Sequence, residues 1–165
     1  MQKAFNFFRV FDLAFFVPGA VVLVGSYAAG TLDIGYWKRL SIQLPGGSVL
    51  LLQSVLAVLA SFLLGLACHA VYRMIDYVFH VLNLNGIGGG SWYDYLDQNH
   101  PKHELTIYFW YLRATCWNTS IACVFVCLLM IFAGETFWIL TSAAGIFLFL
   151  FLGFDFDRGM RRTTV

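Results

Sequence analysis

Residues 49–70 read VLLLQSVLAVLASFLLGLACHA, and no Asp, Glu, Lys or Arg interrupts them. A helix rises roughly 1.5 Å per residue, so such a stretch reaches across the ~30 Å hydrocarbon core of a bilayer. Three more stretches lack those four residue types: Leu13–Ala29, Ala114–Ala133 and Thr136–Phe154. A spanning helix takes about 20 mostly apolar residues, within a range of roughly 17–25. Leu13–Ala29 is the shortest and contains Pro18-Gly19, which makes it the least secure span.

The chain has 165 residues, of which 60% are hydrophobic and 12% charged. The remaining polar sequence is too little to cover these stretches in a soluble fold. Continuous apolar runs, unlike alternating ones, also exclude a membrane β-barrel. The fold class expected is all-α: a polytopic membrane protein with four transmembrane helices in one domain, 1–165. Lys3 and Arg9 ahead of an apolar run, with Ser26, Ala28 and Ala29 behind it, also suit a signal peptide. The stretch is read here as a retained span.

Basic residues set the orientation. With four spans, Lys3, Arg9, Arg73, Lys102, Arg113, Arg158, Arg161 and Arg162 share one side, and only Lys38 and Arg39 lie on the other. Positively charged loops stay in the cytoplasm, so both termini are expected there, with the protein in the cell's plasma or inner membrane. No basic run points to nucleic acid. Cys68, Cys116, Cys123 and Cys127 all fall outside the outer loops, so structural disulfides are not expected.

Helical sequence continues past Ala70 through VYRMIDYVFHVL, which at helical rise projects about 16 Å beyond the bilayer. Pro101 suits the first turn of a helix, and KHELTIYFWYLR runs from it into Ala114. Residues 71–113 therefore read as an extended cytoplasmic helical hairpin, or stalk, between the second and third spans. Its loop carries a glycine run at 86–90 and a short helix starting near Trp92. Only Gly134-Glu135 separates the last two spans, so they are expected to be antiparallel neighbours. FDFDRGMRRTTV, 154–165, reads as a polar cytoplasmic tail.

On the second helix His69, Arg73, Asp76 and His80 fall within about 60° of arc. Ala57, Ser61 and Gly65 continue that row into the membrane, where small residues let helix backbones approach closely. Arg113, Cys116, Ser120, Cys123 and Cys127 form a similar seam on the third helix. Ionisable groups near a bilayer face a bundle interior, a water cavity or one another. The plainer expectation is an intrachain network, with Asp76 paired to Arg73 or Arg113. The sharper one is a pore lining built from several copies.

Asp94, Asp97, His100 and His103 carry metal-binding groups, but Pro101 breaks their helical spacing, so a solvated loop is the better reading. The Gly86–Gly90 run lacks the Lys-Ser/Thr of a phosphate loop. No cofactor, metal or enzymatic activity is expected.

So small a bundle can hardly enclose a transport path alone, which favours a homo-oligomer. The leading expectation is an ion-conducting or membrane-permeabilising channel gated through the stalk. Small four-span proteins of this architecture serve as membrane effectors in microbial antiviral defence, an analogy of form only. The alternative is a scaffold or sensor whose dense aromatics, Trp92, Tyr93, Tyr95 and Trp110 among them, recruit a cytosolic protein. A small-solute transporter comes third.

Overall fold

A computed structural model of the chain describes residues 2–32, 46–82 and 103–164. Four helices make up nearly all of these: α1 Gln2–Ala28, α2 Gly46–Val81, α3 His103–Ala133 and α4 Thr136–Thr164. No strand occurs among the described residues. Leu51–Val78, Ile107–Ala133 and Thr136–Gly159 are each long and apolar enough to cross a membrane, while Leu13–Ala28 is a shorter apolar helix. Trp92, Tyr93 and Tyr95 lie outside the described residues, as do Asp94, Asp97 and His100.

The helices do not pack in chain order. α1 lies against both α2 and α3, α3 runs along α4, and α2 and α3 touch less closely. The α3–α4 pair is a helical hairpin. Cys127 faces the Ile139 carbonyl and Ser120 that of Ile146. Gly145, Gly153 and Gly159 receive Cys123, Trp117 and Phe109 in turn. Each of these pairs is nearly equidistant from Gly134-Glu135, which fixes the register.

The turn itself has a physical cause. Gly134 takes φ +76°, a conformation costly for any residue with a Cβ. Its N–H donates to the Ile131 carbonyl, and that of Glu135 to Met130, which satisfies two carbonyls that end α3. α1 ends the same way at Gly30, with Thr31 N–H donating to Ser26.

The polar segment 154–164 is helical: α4 continues through it to Thr164. No proline stops it, and α3 supplies a wall, because Gly159 abuts Phe109 and Asp157 is buried. The seams of α2 and α3 are turned to different neighbours. The α3 seam is turned to α4, while Ser61 and Gly65 of α2 meet α1.

Candidate functional site

The site begins with a proline. Pro18 has no N–H, so the carbonyl four residues earlier, at Ala14, loses its helical donor. α1 nevertheless continues through Pro18. Ala14 is buried, so water does not replace that donor and the protein must supply one. Asn118 of α3 does so: its side-chain Nδ2 donates to the Ala14 carbonyl at 3.0 Å. Asn118 is completely buried.

That bond also orients the amide. With Nδ2 committed to Ala14, Oδ1 is the acceptor left over, and His69 Nδ1 of α2 lies 3.3 Å from it. In this arrangement His69 donates from Nδ1 to Asn118 Oδ1, and Nε2 is left as an acceptor. The edge of the Phe15 ring meets the imidazole at 5.1 Å between centroids. One polar node thus joins α1, α2 and α3.

Close backbone contact holds the node. A Cβ on Gly65 would overlap the Phe15 carbonyl, and one on Gly19 would overlap that of Ser61. Only a glycine hydrogen fits at either place, so α1 and α2 cross backbone against backbone. Ala57, further along the same row, is exposed.

An aromatic series leads outward from the node. His69 lies 5.8 Å from Tyr72, Tyr72 stacks on Trp117 at 6.0 Å, and Trp117 meets Phe154 edge-on at 5.1 Å. It passes from α2 through α3 to α4 and ends at Phe154, which is partly exposed. Beside it are two ion pairs of unlike character. Arg73 and Asp76 approach to 3.6 Å on α2, with side chains 53% and 37% exposed. Arg113 Nε lies 3.3 Å from Asp157 Oδ1 across the α3–α4 hairpin, with side chains 7% and 9% exposed. Nε itself makes no aligned hydrogen bond. The Tyr72 hydroxyl lies within electrostatic reach of all four groups.

The polar row on α2 is thus divided. His69 faces inward to Asn118, while Arg73 and Asp76 stay at the surface. The His80 side chain is outside the described residues. Arg113 belongs to the α3–α4 contact. Trp110 is half-buried, its ring 4.9 Å from that of Tyr111. Sequence reasoning missed Asn118 and Asp157. The signal for Asn118 was available, since a proline inside an apolar helix demands a donor from elsewhere.

The node makes a direct prediction. Asn118→Leu should cost about 1–2 kcal/mol, because the Ala14 carbonyl loses its partner. In a Pro18→Ala background the loss should shrink, because the substituted alanine supplies the missing N–H. A double-mutant cycle measured by detergent unfolding tests this, and strict additivity would count against the link.

Comparison of the chain with family models, with curated proteins and with solved structures gave no match.

Proposed function

We propose that this is an integral membrane protein with four spanning helices and cytoplasmic termini, which assembles as a homo-oligomer and conducts ions or permeabilises the bilayer. Residues 71–113 form the controlling stalk. The observation that carries the reading is the exposed Arg73–Asp76 pair, set at the end of a long apolar helix that is packed mainly on one side. Charges there suit water or a second copy better than lipid. Within one chain the interior is occupied: Asn118, Thr119 and Ser120 are buried and bonded to carbonyls. Any path for ions therefore runs between copies, with the charged end of α2 beside it. The orientation rests on the distribution of Lys and Arg along the sequence.

Purified protein in planar bilayers tests this. Wild type should give discrete conductance, and Asp76→Ala should change its size or gating while the oligomer persists. If wild type is silent at every voltage and pH, and Trp92→Ala releases a cytosolic partner, the protein is a membrane scaffold instead.

A further inference from the structure

We propose that the cleft between α2 and α3 is a binding groove for one acyl chain of a membrane lipid. This rests on the membrane placement of the helices proposed above, not on conduction. α2 is clamped to α1 at Gly19 and Gly65 and meets α3 through Tyr72 and Trp117. Further along, a groove of about 250 Å³ lies between them. Leu64 and Cys68 of α2 line one side, Phe125, Leu128 and Phe132 of α3 the other, and α1 contributes Val22. No polar surface lines it.

Size and chemistry choose the occupant. Water finds no hydrogen-bond partner in an all-apolar cleft. An empty cleft would forfeit dispersion contacts along both walls. A helix is about 10–12 Å across with its side chains, too wide to lie within a groove of this size, and could enter it only by side-chain tips. A single hydrocarbon chain is narrow enough to lie lengthwise. Leu64 and Cys68 lie in the half of the charge-free stretch 49–70 nearer its C-terminal end, still within the part that the proposed membrane placement gives to acyl chains. Between lipid-facing surfaces there is no hydrophobic gain, so the preference comes from contact on several sides at once. The bound chain would hold α2 off α3.

The test uses the full chain in nanodiscs of phosphatidylcholine bearing a diazirine at mid-acyl depth. After irradiation, labelled peptides are mapped by mass spectrometry. Label near Ala67 and Phe125 should exceed, several-fold, that at Phe147 and Phe151, which are exposed on α4 and meet bulk lipid. Ala67→Trp fills the groove from an exposed lining position and should bring its label down to the α4 level. Leu128→Ala widens the groove and should keep the label high, which serves if the tryptophan variant does not fold. Equal label on both faces overturns the proposal. Protection of the groove while α4 is labelled also overturns it, because a protein segment or a second copy then fills the space. Absence of label on α4 as well would defeat the membrane placement itself.

Discussion

Gly65→Leu should separate α1 from α2 and cost about 3 kcal/mol or more, the upper end of overpacking effects. Even Gly65→Ala should be damaging, because the first added carbon already overlaps the Phe15 carbonyl. Backbone cannot rotate aside as a side-chain tip can. The loss should extend beyond the crossing itself. Moving α1 pulls Phe15 from His69 and Ala14 from Asn118, so the node comes apart with it. Ala57→Leu is the control: it adds similar bulk on the same helix at an exposed position, and should fall within about 0.5 kcal/mol of wild type. Unfolding of purified protein by increasing sodium dodecyl sulfate measures all three. A Gly65→Leu protein as stable as the Ala57→Leu control would contradict the crossing.

Asp157→Ala should cost about 3–5 kcal/mol, because it leaves the Arg113 guanidinium buried without its counter-charge. Removing both charges should be far milder. Arg113→Met with Asp157→Leu is expected to match wild type or exceed it by about 1–4 kcal/mol, since neither ion then has to be desolvated. The other pair behaves oppositely. Asp76→Ala should cost about 0–1 kcal/mol, because Arg73 and Asp76 are already wet. Under the proposed channel reading, its effect is expected on conduction and not on folding. Equal losses from Asp157→Ala and Asp76→Ala in the same unfolding assay would show that burial does not distinguish the pairs.

The helical class and the long apolar helices are readable in the sequence because both depend on local properties: uninterrupted apolar length and the glycine after Ala133. The extension of α2 to Val81 is readable for the same reason. Neighbour relations are not local. Nothing in the row Ser61, Gly65, His69 says that α1 will meet it, because periodicity gives a face and not what the face touches. Arg113 offers a charge that Asp76 or Asp157 could balance equally well, and only the hairpin register selects Asp157. The run FDFDRGMRRTT looks solvated by composition, yet packing against α3 buries Asp157 within it. Pro18 and Asn118 stand 100 positions apart in the sequence. Each is an ordinary residue until the carbonyl that links them is followed.

That carbonyl also sets an order of events during synthesis. Ala14 and Asn118 are 104 residues apart. At about 5–20 residues per second, the donor emerges roughly 5–20 s after the acceptor. By the later part of that interval both α1 and α2 have been made, but the backbone at Ala14 still lacks the Asn118 amide. The arrival of α3 closes it. Until then the Ala14 carbonyl lacks the donor that the finished fold supplies, so the contact between α1 and the first-made half of the chain is completed only by a residue from the second half.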